Sequence, residues 1–325
     1  MKIKNIRLEV MQTMEQNMEE LLTKYLKPIE DNWQPADHLP DARDDSFFDE
    51  IREIQELSME MSYDLFAVLI GDTITEEALP TYESWLMMVE GVDEEGKNGW
   101  SQWIRSWTAE ENRHGDLLNK YLYLSGRVNM REMEKSTQFL ISDGFDIQTG
   151  KDPYRNFVYT SFQELATNVS HRRVASQVKK TGNARLAKIC GLIAADEARH
   201  ANAYSHFVQR IFEMDGSEMM LAFEDMMKKK IVMPAHFMRQ SGQKAGELFG
   251  HFSDAAQRTN VYTTLDYIEI LQSLTKEWKV EHLSGLTDQA EKARDYVMAL
   301  PSRLLRIAER IKIPETEYKF KWIAS

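Results

Sequence analysis

Two sets of acidic and histidine side chains recur along the sequence at almost the same spacing. Glu76 lies 35 residues before a Glu-x-x-His motif at 111–114, and Glu164 lies 33 residues before a second one at 197–200. Residues i and i+3 share a helix face, so each motif can direct a carboxylate and an imidazole at one point. Carboxylates are hard oxygen donors and imidazole suits iron, so the pattern predicts a site for two metal ions.

Helices must bring these groups together. A single Glu about 34 residues before each motif is typical of an antiparallel helix pair, and two such pairs make a four-helix bundle with four Glu and two His at its middle. This is the ligand set of the ferritin-like di-iron and di-manganese carboxylate proteins. Four carboxylates also balance two divalent ions, which allows burial. The predicted ligands are Glu76, Glu111, His114, Glu164, Glu197 and His200.

The alternative is that the motifs are incidental Glu/His pairs on two surface helices. Each histidine, however, lies beside an apolar helical segment, at 117–118 for the first and 189–195 for the second. A cysteine-free ligand set also argues against a structural zinc held by thiolates. The sequence therefore favours a buried carboxylate site over two solvent-exposed helix faces.

Periodicity predicts an all-α fold, a four-helix bundle with additional flanking helices. We expect one domain over 1–325, because the two motif halves must meet at one site and no linker separates them. Within it we expect an N-terminal extension at 1–47, the metal bundle at about 60–213 and C-terminal helices at 217–312. Pro80 should kink or unwind the first ligand helix. The predicted helices are 10–27, 60–90, 100–125, 130–142, 154–180, 183–213, 217–230, 262–279 and 288–312, with a short strand pair after 313.

Composition limits the function classes. The mean hydropathy of −0.50 and the absence of a long apolar run argue against a membrane span. A formal net charge of −12 argues against nucleic acid as a partner. The single cysteine, Cys190, cannot form an internal disulfide, and the N-terminus lacks an apolar signal core, so we expect a cytoplasmic protein.

The segments around the predicted ligands resemble one family, the soluble acyl-acyl carrier protein desaturases. The likeness extends from about residue 17 to about residue 310 and covers the predicted ligand helices and two further segments. The matching segments are 32–35, 71–82, 107–127, 159–167, 193–200 and 233–236.

This resemblance implies an oxygen-dependent enzyme that inserts a cis double bond into a saturated acyl chain carried on acyl carrier protein. It implies two iron ions, O₂ as co-substrate, a ferredoxin-like electron donor and a homodimer. It also implies that Glu111 and Glu197 lie close to both metals, with Glu76 and Glu164 as terminal ligands. Two other classes remain open: an iron-oxidising ferritin-like protein and the radical subunit of a ribonucleotide reductase.

The resemblance extends to residues beside the ligands. Thr167 lies one turn after Glu164 and matches a threonine beside the oxygen-binding face, where a hydroxyl can relay a proton. Asp196 could accept a hydrogen bond from the second ring nitrogen of His114. Trp33 matches a residue near that pair, which makes Trp33, Asp196 and His114 a candidate route for electron entry.

Substrate and partner residues are also implied. Trp85, Met88, Val89 and Asn156 match positions at the closed end of the acyl channel. Two are large and Asn156 is polar where a small residue is common, so we expect an acyl chain shorter than stearoyl, such as palmitoyl, or a double bond nearer the methyl end. Acyl carrier proteins are acidic, so their docking face should be basic. The strongest basic run consists of Lys228, Lys229 and Lys230.

Overall fold

The computed structural model describes residues 2–93 and 95–324. This part of the chain is helical, which confirms the all-α prediction. We number its α-helices in chain order. They are α1 (Lys2–Glu15), α2 (Met18–Tyr25), α3 (Phe47–Met59), α4 (Tyr63–Glu76), α5 (Leu79–Leu86), α6 (Gly99–Leu124), α7 (Met130–Asp143), α8 (Pro153–Lys180), α9 (Ala184–Lys229), α10 (Phe249–Arg258), α11 (Thr264–Glu277) and α12 (Asp288–Ala308).

Helices α4, α6, α8 and α9 carry the predicted ligands. Side chains placed just before three of them satisfy backbone N–H groups that a helix start leaves free. Before α6, the Asn98 side chain accepts a hydrogen bond from the backbone N–H of Ser101, and before α8 the Asp152 side chain accepts one from the N–H of Tyr154. The Asn183 side chain caps α9 in the same way. These caps fix where the long helices begin, and α8 and α9 then pack together along their length.

The α4–α5 boundary confirms the expected effect of Pro80. Helix α4 ends at Glu76, and α5 begins at Leu79 with the proline in its first turn. Proline lacks an N–H and fits a helix start without loss of a hydrogen bond. The metal-ligand candidate Glu76 is therefore the last residue of a helix.

Several boundaries differ from the sequence expectations. Helices α3 and α10 were not predicted, and the first predicted helix is two helices. Residues 184–229 form one element with a kink at Asp215, where we expected a break. No strand pair forms in the described part of the tail; Ile323 makes one isolated antiparallel bridge with Val128 instead.

One hydrophobic cluster extends through the described residues, from Val10 on α1 to Trp322 near the end of the chain. Cys190 is fully buried within it and is not disulfide-bonded, as expected for a small core residue. None of the described helices combines the length and apolar character that crossing a membrane requires.

Candidate metal centre

The six predicted ligands converge at the middle of the bundle. Their donor atoms form two overlapping groups, each with atoms within 4.8 Å of one another. Both groups contain Glu111 from α6 and Glu197 from α9. Glu76 and His114 complete the first group; Glu164 and His200 complete the second. Two carboxylates common to two adjacent groups are what a pair of bridged metal ions needs.

Both histidines turn the same ring nitrogen toward the glutamates. His114 Nδ1 lies 3.4 Å from Glu111 Oε2 and 3.3 Å from Glu197 Oε1. His200 Nδ1 lies 2.5 Å from Glu111 Oε1. Among the described residues these two Nδ1 atoms are buried without a hydrogen-bond partner, as are one oxygen of Glu111 and one of Glu197. Because buried polar atoms normally have partners, this set fits cations at the centre.

The opposite ring nitrogens point to a second layer of carboxylates. His114 Nε2 is 3.5 Å from Asp196 Oδ2, and His200 Nε2 is 2.9 Å from Glu110 Oε2. A metal-binding histidine usually gives its free N–H to a carboxylate or carbonyl, which fixes the ring and makes the other nitrogen a better ligand. Each imidazole therefore has an inner and an outer carboxylate.

The two terminal glutamates have different outer partners. The Trp107 indole N–H donates to Glu164 Oε1 at 3.1 Å, whereas His171 Nε2 lies 2.8 Å from Glu76 Oε1. His171 thus lies beside a predicted ligand. The indole cannot change its charge and the imidazole can, so the two ends of the site are chemically unequal.

The crowding of buried carboxylates shifts the pKa values of groups in the site. Burial, with the charges of Glu111 and Glu197, raises the pKa of Glu164 well above its usual range. Burial lowers the pKa of His200, but the neighbouring Glu111 and Glu110 outweigh it and raise that pKa to about 9. Without metal ions, protons must supply the positive charge that this carboxylate cluster requires.

Thr167 and Trp33 lie next to this centre. The Thr167 hydroxyl donates to Glu197 Oε2 at 2.7 Å. The Trp33 indole N–H donates to Asp196 Oδ2 at 3.0 Å, and its ring stacks on His114 with centroids 6.0 Å apart. Arg113 lies over the same indole, 4.1 Å from its centroid. A half-buried tryptophan is therefore connected to a predicted ligand through one carboxylate.

The expected channel residues do not all share one environment. Trp85 contacts the rings of Tyr82, Phe145 and Tyr159, and its buried indole nitrogen has no hydrogen-bond partner among the described residues. Val89 is buried.

Asn156 on α8 is fully buried, and both of its amide atoms lack a partner in the described part of the chain. Met88, by contrast, is 52% exposed. Met88 lies just beyond the end of α5, so its expected place at the closed channel end gains no support from burial.

The basic run at the end of α9 is partly compensated. Lys228 forms an ion pair with Glu224 at 2.6 Å, and Lys229 with Asp225 at 2.8 Å. Lys230 is exposed and has the positive φ of 67°. Because these carboxylates lie one turn away on the same helix, they partly neutralise the lysines. The run therefore attracts an acidic partner less strongly than the sequence suggested.

Sequence reasoning missed Glu110 and Trp107. Glu110 is not among the predicted ligands, because adjacent residues on a helix point about 100° apart. It instead reaches the outer nitrogen of His200 on another helix. The signal was the second repeat: Glu110 precedes Glu111 as Asp196 precedes Glu197, and each acid serves the histidine of the opposite motif.

The fold and the centre define a helical protein with two adjacent carboxylate and histidine groups that could hold metal ions, and comparison identifies its family. The family model described as fatty acid desaturase matches residues 6–324. The chain therefore belongs to this desaturase family.

Its relatives include plant enzymes. A chloroplastic stearoyl-[acyl-carrier-protein] 9-desaturase from Spinacia oleracea is 52% identical over 94% of this chain and 77% of its own length. The Ricinus communis enzyme of the same name is 50% identical over 98% of this chain and 81% of its own. A palmitoyl-[acyl-carrier-protein] 4-desaturase from Ophrys sphegodes is 47% identical over the same shares.

A solved structure shares the fold. The X-ray structure of DesA2 from Mycobacterium tuberculosis, described as an acyl-ACP desaturase, aligns with a TM-score of 0.55 at 17% identity. The alignment covers 88% of this chain and 99% of that one. The family and its relatives favour the desaturase interpretation over a ferritin-like protein or a ribonucleotide reductase subunit.

Proposed function

We propose that this chain is an acyl-acyl carrier protein desaturase that uses two iron ions and O₂ to insert a cis double bond into a saturated acyl chain. The observation that carries this proposal is the pair of donor groups that share Glu111 and Glu197. The test is to supply the iron-loaded protein with a reductant, O₂ and acyl carrier protein thioesters, and to locate any double bond by mass spectrometry.

Iron is proposed because of the likeness to the desaturase family. The donor set fits it: all six candidates are carboxylates or imidazoles, a set that holds two iron or two manganese ions in ferritin-like proteins, and no thiolate is present to favour zinc. When bound, the iron pair would activate O₂, which would accept the two hydrogens removed from neighbouring carbons together with two electrons from the donor and two protons, and would leave as two water molecules. The protein's own contribution is positioning, electrostatics and exclusion of water.

The ligand residues divide into two roles in this proposal. Glu111 and Glu197 belong to both donor groups and would contribute to both metal sites, while Glu76 and Glu164 would each contribute to one. Asp196 and Glu110 orient His114 and His200 through their outer nitrogens. The four inner carboxylates neutralise two divalent ions, so the loaded centre can stay buried among apolar side chains.

Thr167 is the proposed proton carrier. Its hydroxyl is half-buried and donates to Glu197 Oε2, and it also lies 3.0 Å from the backbone oxygen of Glu164. A hydroxyl can accept one proton while it donates another, so Thr167 can relay a proton through its Oγ1 atom beside the Glu197 carboxylate. That position suits delivery of protons during oxygen reduction.

Electrons are proposed to enter at Trp33. This side chain is half-buried and connects to His114 both directly, by stacking, and through Asp196. Arg113 and Arg199 also bind Asp196, at 2.9 and 2.8 Å, and keep its carboxylate fixed. A ferredoxin-like protein is the proposed donor at this face.

The acyl chain is proposed to end near Trp85, Val89 and Asn156. Trp85 is bulky, and the unpartnered amide of Asn156 makes this end of the interior polar. A methylene in an apolar pocket contributes about 1–3 kcal/mol, and that gain falls where a polar group must be left unpaired. We therefore propose a preference for a chain shorter than stearoyl, such as palmitoyl, or a bond nearer the methyl end.

The carrier is proposed to dock at the end of α9. Lys228 and Arg303 of α12 both lie over the Tyr296 ring, with charges 5.2 and 5.8 Å from its centroid, so the basic run continues onto α12. Arg306 and Arg310 follow Arg303 at helical spacing and are exposed. Together, Lys228–Lys230 and these arginines form a basic surface on a protein whose net charge is negative. An acidic carrier could dock there.

Two further properties are proposed, one on the family likeness and one on the composition. A homodimer is expected, which a sizing measurement tests, and a cytoplasmic location is expected from the composition. The plant relatives named above are chloroplastic.

A further inference from the structure

Glu76 differs from the other five candidate ligands in its backbone setting. It is the last residue of α4, and Glu77 and Ala78 form the break before α5. The remaining ligands lie inside α6, α8 and α9, well away from the helix ends. Carbonyl groups in the last turn of a helix lack intrahelical partners, so the helix alone holds this backbone less firmly. Other contacts must hold Glu76 in place.

The side chain of Glu77 supplies two such contacts. Its Oε1 accepts a hydrogen bond from Asn119 Nδ2 of α6 at 2.6 Å, and its Oε2 accepts one from Thr137 Oγ1 of α7 at 3.4 Å. Glu77 therefore ties the broken end of α4 to two neighbouring helices, although it is not itself among the candidate ligands.

Gly115 allows a third contact, because the absence of a side chain lets α6 and the end of α4 approach closely. It follows His114 on α6, and its helix packs directly against the peptide group between Glu76 and Glu77. A Cβ on Gly115 would lie 3.0 Å from Glu77 Cγ, 3.1 Å from Glu77 N and 3.2 Å from Glu76 C. These distances are tighter than ordinary Cβ contacts, so an alanine here would push the end of α4 away by a few tenths of an ångström. Glu76 Oε2 at this end lies 3.8 Å from His114 Nδ1.

We propose that Glu77, Asn119, Thr137 and Gly115, here called the α4 clamp, are positioning residues that hold Glu76 in the metal site it forms with His114. The inference rests on the proposed two-metal centre. Glu76 belongs to one donor group and is absent from the other, which consists of Glu111, Glu164, Glu197 and His200. Loss of the clamp should therefore weaken one metal site and spare the other.

Cobalt(II) titration of the metal-free full chain tests the proposal, with cobalt absorption as a readout that does not depend on activity. We expect Glu77→Ala and Gly115→Ala to bind the first ion as the wild type does and the second about tenfold or more weakly, the usual effect of losing an outer-layer partner. In crystals soaked with cobalt, the anomalous peak beside Glu76 and His114 should weaken while the peak beside Glu164 and His200 remains.

Two control variants distinguish a loss of Glu76 positioning from a general loss of structure. Glu77→Gln keeps an oxygen for Asn119 and adds an N–H for the Thr137 hydroxyl, so both ions should bind normally. Gly191→Ala adds the same methyl group to α9 where nothing lies within 4 Å, and it should also bind both ions.

The proposal is wrong if the wild type binds two ions and both Glu77→Ala and Gly115→Ala bind two ions with unchanged affinity. Equal weakening of both sites in those variants would overturn it as well, because the effect would then be a general loss of structure. A wild type that binds fewer than two cobalt ions would overturn the two-metal centre and the clamp together.

Discussion

Glu110 on α6 and His200 on α9 are partners across the bundle: Glu110 Oε2 lies 2.9 Å from His200 Nε2. Asp196 on α9 and His114 on α6 repeat the relationship in the opposite direction. The carboxylate just before each motif therefore contacts the outer nitrogen of the other motif's histidine. Arg199 contacts both outer carboxylates and joins the two halves.

The metal centre leads to the first prediction. We expect about two irons per chain, the number this ligand pattern holds. Glu111→Ala removes a carboxylate common to both groups and should abolish iron binding and activity, while His200→Ala should weaken mainly the second group. Elemental analysis beside an activity assay measures both. An active preparation that contains one zinc and no iron would contradict the assignment.

A second prediction concerns Asp72, whose carboxylate accepts from the Ser170 hydroxyl at 2.7 Å. Burial raises the pKa of Asp72 to about 6 from 3.8, although His171 and Ser170 oppose that shift. The folded state therefore holds the proton more tightly than the unfolded state. Stability from this group is present below pH 3.8 and is lost as the pH rises through about 6.

Asp72→Asn removes that dependence. We expect it to raise the free energy of unfolding at pH 8 by on the order of 1–3 kcal/mol relative to the wild type, with little gain at pH 4. Denaturant unfolding at the two pH values measures the difference. An equal effect at both values would show that folding does not raise the pKa of Asp72.

The route through Trp33 gives the third prediction. Trp33→Phe removes the indole N–H that binds Asp196 while it keeps an aromatic ring. We expect ferredoxin-driven reduction to slow markedly and reduction by dithionite, a small reductant that needs no docking face, to change little. Trp278→Phe is a matched control, because its indole N–H binds Ser205. Equal slowing with both reductants would place the defect at the centre itself.

How far the sequence predicts this molecule depends on the kind of residue. The Glu and His types and spacing specified six groups that the structure brings together, because helical periodicity determines which side chains share a face. Helix α3 and the exposure of Met88 were missed, since both depend on how distant segments pack. Glu110 was missed for the same reason: its partner is 90 residues away in the chain.

Docking gives the fourth prediction. Charge pairs across an exposed face are screened by salt, so carrier binding should weaken as ionic strength rises. Lys228→Glu with Lys229→Glu should raise KM several-fold and change kcat much less. Lys179→Glu with Lys180→Glu, at the end of α8, is the matched charge reversal. If only that second pair raises KM, the carrier docks at α8 and the assignment to α9 is wrong.

Acyl length is the last prediction, and it turns on Trp85 and Asn156. If both limit the channel, the wild type should turn over palmitoyl carrier faster than stearoyl carrier, and Trp85→Ala should shift the ratio toward stearoyl. Loss of a large aromatic side chain also costs about 3–5 kcal/mol of stability, so Trp85→Ala needs a second variant beside it. Asn156→Ala removes only the unpaired amide and should shift the ratio in the same direction, because an apolar chain then leaves no buried polar atom unsatisfied. Ratios of kcat/KM measured in one mixture of both substrates are unaffected by the fraction of folded enzyme. A wild type that prefers stearoyl, with ratios unchanged in both variants, would show that these residues belong to the core and not to the channel.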